Sequence, residues 1–197
     1  MFIKDSVIKK LIKKAFEKNE LVIAHEEGLY TIQFGNCVMQ VIEKYMTNRV
    51  KSILVDFVGD IPQNEGMLYG EGCEPQIHLD AYDDLREMFE RKSDNEYEGT
   101  CVSVSRRKDV YRVMQLSAGT DKVMVKEEYI SMVDHNSIDI EGGEIKPGLP
   151  RLFAHTLIWS NNVMSLRVPV GEIKYQSEKN ILGSSYDLIT RPEDYLS

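Results

Sequence analysis

Val7, Ile8, Leu11, Ile12, Ala15 and Phe16 recur at spacings of one and three, the repeat that gathers side chains on one side of an α-helix. Asp5 or Ser6 can cap its start, because a short side-chain oxygen accepts from an unsatisfied first-turn amide. Lys9, Lys10, Lys13, Lys14 and Lys18 take up the remaining circumference. The pattern predicts an amphipathic helix with a basic outer face.

Shorter patterns follow. Leu21 to His25 and Leu29 to Phe34 flank Glu26-Glu27-Gly28, which is hairpin-like turn chemistry. Asn36 to Ile42 and Ile53 to Val58 read as two further strands, and Gly59 to Pro75 as a long loop or crossover. A second helix is expected near Asp80, with Tyr82, Leu85, Met88 and Phe89 on one face. Asp80, Asp83 and Asp84 sit at its positive dipole end. Strands are expected over Thr100 to Ser105, Val110 to Leu116 and Lys122 to Lys126, then a short helix from Glu127 to Asp134. Ser137 to Ile140, Phe153 to Ser160 and Val163 to Val170 read as strands, the last two joined by Asn161-Asn162, since Asn tolerates positive φ. The tail from Tyr175 is weakly patterned and is expected to pack over the surface or fray.

Strand and helix do not alternate strictly, which disfavours a doubly wound nucleotide fold. The expected class is α+β, an antiparallel sheet with helices on one face. The order divides into a helix-plus-strands module over 1–60, an acidic loop or crossover over 61–75, a second such module over 76–174, and a tail over 175–197.

Composition narrows the function classes. The chain has 197 residues, 42% of them apolar and 28% charged, enough to build a core and too apolar for wholesale disorder. No apolar run reaches the roughly 18 residues that a membrane span needs, and the paired lysines Lys9-Lys10 and Lys13-Lys14 break any signal-peptide core. The expected location is the cytosol, with no membrane partner. Cys37, Cys73 and Cys101 are widely spaced and odd in number, so reduced thiols are expected.

The net charge of −8 argues against a generally basic nucleic-acid binder while leaving room for a local basic face. That charge is unevenly spread. Asp56 to Glu98 holds thirteen acidic residues against Arg86, Arg91 and Lys92, a net −10, whereas residues 1–20 carry six lysines against three acids, a net +3. Each cluster has a plain reading as a solvated face and a sharper one. The lysine face can contact phosphates; the acidic stretch, through Asp80, Asp83, Asp84, Glu87 and Glu90, can meet a basic protein.

Motifs for covalent chemistry are absent from the sequence: there is no nucleophile elbow and no phosphate-cradling glycine loop, and no cofactor is implied. A metal site drawn from Cys73, Glu74, His78, Asp80, Asp83 and Asp84 competes with simple helix capping by Asp80 and its neighbours. His25 and His155, beside apolar strand residues, are expected to be ordinary hydrogen-bonded strand histidines. Trp159 with Phe153, Leu157 and Ile158 fits either a base-stacking platform or a sheet core.

Phe2-Ile3-Lys4, the lysine-bearing helix and the following hairpin resemble a module of a DNA sliding (processivity) clamp. Gln76-Ile77-His78-Leu79 with the helix after Asp80 and the strands from Thr100 resembles a second module. Val123 to Lys126 with Glu127-Glu128-Tyr129-Ile130-Ser131-Met132-Val133 resembles the entry of a third. Val163-Met164-Ser165-Leu166-Arg167-Val168-Pro169-Val170 is similar to the closing strand of bacterial clamps, with Val168 in place of a Met. The resemblance implies duplicated modules whose pore-lining helices meet duplex phosphates without reading sequence, a part for Lys9, Lys10, Lys13, Lys14 and Lys18. Asp83, Asp84, Glu87 and Glu90 depart from it by placing acid on the second helix. The chain is short for a full protomer, so the resemblance implies either a ring of several copies, a homo-oligomer, or a diverged role.

The expected function is therefore a non-enzymatic acidic interaction protein linked to DNA transactions, with duplex DNA or a basic protein as partner. The alternatives are an acidic DNA-mimic inhibitor of a nucleic-acid-binding protein and a metal-dependent hydrolase using His78 and nearby carboxylates.

Overall fold

The computed structural model describes residues 1–78, 82–91, 95–135 and 147–189; the strand expected over 137–140 and Asp80 lie outside them. Helix α1 (Asp5–Glu17) forms as expected and buries Ile8, Leu11, Ile12 and Ala15. Its cap differs from expectation. The N-cap residue is Lys4, with no side-chain cap, and Asp5 lies inside the first turn, where its carboxylate accepts from Arg49 at 3.3 Å.

Strands β1 (Leu21–Glu26), β2 (Leu29–Phe34) and β3 (Cys37–Ile42) follow as an antiparallel meander. The β1–β2 turn places Glu27 and Gly28 at φ of 50° and 77°; two left-handed residues in a two-residue loop match the twist of the flanking strands. The run read as a strand over Ile53 to Val58 is helical instead, as part of α2 (Asn48–Val58). Thr47 caps α2 by accepting from the Val50 amide at 3.4 Å, and the apolar spacing at Val50, Ile53 and Leu54 buries one side. Gly59 ends it at a φ of 75°.

The segment expected as a loop over 59–75 contains β4 (Gly66–Tyr69), and β5 (Gln76–Ile77) pairs with it. After α3 (Leu85–Glu90) come β6 (Tyr97–Arg106), β7 (Asp109–Leu116), β8 (Lys122–Lys126) and α4 (Glu127–Ile130). Phe153 to Ser160 is two strands, β9 (Arg151–Phe153) and β10 (Thr156–Ser160), because Ala154 turns the chain at a φ of 51°. Strand β11 (Met164–Pro169) and helix α5 (Gln176–Leu182) complete the described elements.

The class is α+β. Eight strands form one antiparallel sheet in the order β5-β4-β1-β2-β3-β11-β10-β9, and β6-β7-β8 form a second. The pairing of β11 with β3 joins strands from early and late in the sequence in the larger sheet. Side chains alternate across a strand, and this divides the helices. Met39, Leu166 and Leu157 share one core with Ile8, Leu11 and Ile12 of α1 and with Val50, Ile53 and Leu54 of α2. Val38 and Ile158, on the opposite face, pack with Leu85 of α3. The expected helical face is thus the one covered by α1 and α2, with α3 a small addition behind it. Met114 and Val125 of the second sheet join the larger core, as does Trp159, 1% exposed. Of the two readings of Trp159, the sheet core is the one realised.

Candidate functional site

Because α1 buries its apolar stripe, its four lysines, Lys9, Lys10, Lys13 and Lys14, and Lys18 at its C-cap are held outward, all of them exposed. Four have partners within the chain. Lys9 donates to Asp56 at 2.7 Å, Lys13 lies 3.6 Å from Glu17, and Lys10 and Lys14 converge on one Glu128 oxygen at 3.1 and 2.6 Å. Partial burial would raise the Glu128 pKa, but the hydrogen bonds from Lys14 and Lys10 outweigh it and the net shift is downward. Between α1, α4 and the β6–β7 hairpin lies an open groove of about 650 Å³. Lys10 and Lys14 line it together with Lys108, Lys126, Asp109 and Glu128. Lys126 is paired with Asp109 at 2.9 Å. Nothing in the local pattern shows that the β6–β7 turn would bring Lys108, and the end of β8 Lys126, to the helix, since more than ninety positions separate them from it.

The acidic residues are placed differently. Asp84 is the N-cap of α3 and accepts from the Arg86 and Glu87 amides at 2.9 and 3.1 Å. Glu87 pairs with Arg91, and Asp83 and Glu90 are exposed. Gln40, buried in β3, fixes the start of this helix: its amide donates to the Asp83 carbonyl at 2.9 Å and its oxygen accepts from the Leu85 amide at 2.8 Å.

The metal-site alternative is not assembled. Among the described residues no group of three or more His, Cys, Asp or Glu side chains is placed to hold a metal ion. His78 Nε2 instead lies 3.0 Å from the Tyr82 hydroxyl, which is also 3.0 Å from Gln33 Oε1. All three cysteines are free; burial first, then the charge of Glu128, pushes the Cys37 thiol up to about 12. The two histidines differ from expectation. His155 is an exposed turn residue between β9 and β10. His25 is buried, and neither ring nitrogen makes a hydrogen bond among the described residues. The nearest Glu43 oxygen lies 3.4 Å from Nε2 in an orientation that forms none, and the ring stacks on Tyr30 at 4.3 Å.

A second cleft, of about 620 Å³, opens on the α3 face of the large sheet. Its floor holds Arg167, read in the sequence only as part of an apolar closing strand. The one sequence signal was a long cation between Leu166 and Val168, which alternation must turn away from the core they share.

No protein-family model matches the chain, and no curated protein matches it. Among solved structures the chain is similar to the beta chain of DNA polymerase III from Streptococcus pneumoniae TIGR4, at 10% identity and a TM-score of 0.34. The match covers 90% of this chain and 66% of that one, just under two thirds of its length. The resemblance to a clamp is a weak one. No helix among the described residues is long and apolar enough to cross a membrane.

Proposed function

We propose that this chain is a non-enzymatic binding protein that docks a polyanion, duplex DNA in the first instance, on the lysine face of α1. The observation that supports this reading is the groove beside α1, where Lys10 and Lys14 meet Lys108 and Lys126. Lys9, Lys13 and Lys18 extend the same exposed surface along the helix. The carboxylates that now hold these ammonium groups do not oppose the reading. The exposed pairs Lys9–Asp56 and Lys13–Glu17 contribute about 0–1 kcal/mol each, so exchanging those carboxylates for phosphate oxygens costs little. Lys10 and Lys14, exposed above the half-buried Glu128, keep further ammonium donors for a phosphate, and each phosphate contact releases condensed counterions. Contact of this kind carries no base information and implies binding without sequence preference.

A fluorescence-anisotropy titration of duplex DNA at increasing salt tests it. Affinity should fall steeply with salt and be lost in the K10E/K13E/K14E variant. Binding that is unchanged in that variant, or absent at low salt, ends the proposal.

A second reading takes the acidic side as the docking surface for a basic protein, as a DNA mimic would. It is favoured by Asp83 and Glu90, exposed carboxylates with no ion pair among the described residues. Capture of a basic partner that survives the lysine changes and is lost in D83N/E87Q/E90Q would select it over the first.

A further inference from the structure

Eight arginines lie among the described residues, and five of them are buried or half-buried. Four of those five donate to protein oxygens. Arg86 reaches the Asn161 carbonyl, Arg106 the Glu178 carboxylate, Arg112 the Glu127 carboxylate, and Arg151 the Glu96 carboxylate and the Phe89 carbonyl. Arg167 is the exception: it makes no hydrogen bond and no ion pair among the described residues. A guanidinium withdrawn from water without an acceptor is costly, and this one stands in a chain with an excess of acid.

Its surroundings explain the vacancy around the charge. Gln33, Val38, Arg167 and Ile158 are register neighbours across β2, β3, β11 and β10, so they share the α3 face. No residue of α3 lines the cleft that opens there. Arg167 lies on its floor, with Val38, Pro169 and Val170 as apolar walls and Asn36 and His155 among its lining residues. Asn36 and His155 are exposed and make no side-chain hydrogen bond among the described residues, so both keep donors free. Thr156 is not such a donor, since its hydroxyl donates to the Phe153 carbonyl at 2.9 Å. Glu172 also lines the cleft; its carboxylate lies 3.8 Å from Lys174 and forms no pair with Arg167.

We propose that this cleft binds a small organic oxyanion, a carboxylate or phosphate carried on a compact apolar body, with Arg167 gripping the anion. A guanidinium presents parallel donors that match two oxygens of such a group. A volume of about 620 Å³ falls within the roughly 300–1,000 Å³ of small-molecule sites. The apolar walls call for a body beyond the anion itself. The site lies across the sheet from the α1 lysines, so it stands or falls independently of DNA docking.

Nuclear magnetic resonance titration of the full chain with benzoate, phenyl phosphate and inorganic phosphate tests this. Benzoate or phenyl phosphate should shift the Arg167 side-chain resonance and the Asn36 and Gly171 amides saturably. R167Q should weaken binding by about tenfold or more, the scale of a charged hydrogen bond. R167K, which keeps the charge and loses the fork, should fall between, and R107Q, at an exposed arginine elsewhere, should bind as the parent does. Binding of benzoate alone or phenyl phosphate alone identifies the anion as carboxylate or phosphate. No saturable shift with either, or equal affinity in R167Q, overturns the site. Inorganic phosphate binding as tightly as phenyl phosphate overturns the role of the apolar walls.

Discussion

Helices α1 and α5 are held to the same molecule by opposite means. Helix α1 buries Ile8, Leu11, Ile12 and Ala15 and exposes its charges. Helix α5 buries a single residue, and it is the charged Glu178. That carboxylate meets Arg106 of β6, itself 9% exposed, through two hydrogen bonds at 2.5 and 2.6 Å. It also accepts from the Lys174 and Tyr175 amides at 2.8 and 3.0 Å. The Arg106 guanidinium lies 4.6 Å from the Tyr111 ring centre and donates to the Glu172 carbonyl. A helix fastened by apolar area adheres at many points of similar strength. One fastened by a buried ion pair depends on a single contact whose loss strands a charge. The difference teaches that α5 itself is held by one polar buckle, with the residues just past it pinned separately where Lys122 donates to the Ser184 carbonyl at 2.8 Å and Gln115 binds Asp187 and the Leu188 amide at 2.6 and 2.8 Å, whereas α1 is part of the core.

The largest effect should come from the core. Ile12 is fully buried, and I12A should lower the free energy of unfolding by about 2–5 kcal/mol through lost burial and the cavity left behind. A chemical denaturation curve reads this as a lower midpoint. A shift no larger than that of a surface change would mean that α1 is not integral to the core, and the contrast with α5 would collapse.

Changes at the buckle should act locally. E178Q should expose α5 amides to hydrogen exchange and the α5 segment to proteases, while the denaturation midpoint moves less than in I12A. Its pH dependence sharpens the point. The hydrogen bond from Arg106, working against burial and aided by the two amides, lowers the Glu178 pKa from 4.5 to about 2. Above about pH 4.5 the carboxyl is ionised whether α5 is docked or released, and docking has its full strength. As the pH falls from 4.5 towards 2, the released tail takes up a proton that the docked one refuses, so docking weakens across that window. Protection of α5 amides, taken relative to their intrinsic exchange rate at each pH, should therefore fall in acid in the parent and lose that dependence in E178Q. An acid response that is identical in both would show that Glu178 is not the fastening.

Smallest of all should be a surface pair. Lys9 and Asp56 join α1 to α2, but their side chains are 52% and 55% exposed. D56N should change stability by about 0.5 kcal/mol or less. A change approaching that of I12A would mean that charge, and not apolar contact, holds α1 in place.

The same contrast explains which elements could be read from the residues. Helix α1, the β1–β2 hairpin and strands β7 and β8 follow from local periodicity and turn chemistry. Ile53 to Val58 misleads because six residues with one acid look like a strand; the helix becomes visible only when Thr47 and Val50 are counted with them. The break at Ala154 carries none of the usual turn residues and is imposed by the pairing of β9 and β10 on either side. Among candidate site residues, the five lysines were legible as one face of a helix. Their meeting with Lys108, Lys126 and Glu128 was not, because it depends on how α4 and the β6–β7 hairpin fold against α1.

The sequence by itself determined the amphipathic first helix, the antiparallel α+β class and the separation of basic from acidic stretches, since each depends on neighbours within a few residues or on composition. Only the tertiary structure decided which charges are neutralised and which are left bare. Glu178 finds Arg106 across 72 positions, and Arg167 finds no hydrogen-bond or ion-pair partner among the described residues. Coulomb energy and desolvation depend on distance and burial, and neither quantity exists until strands remote in the chain lie side by side.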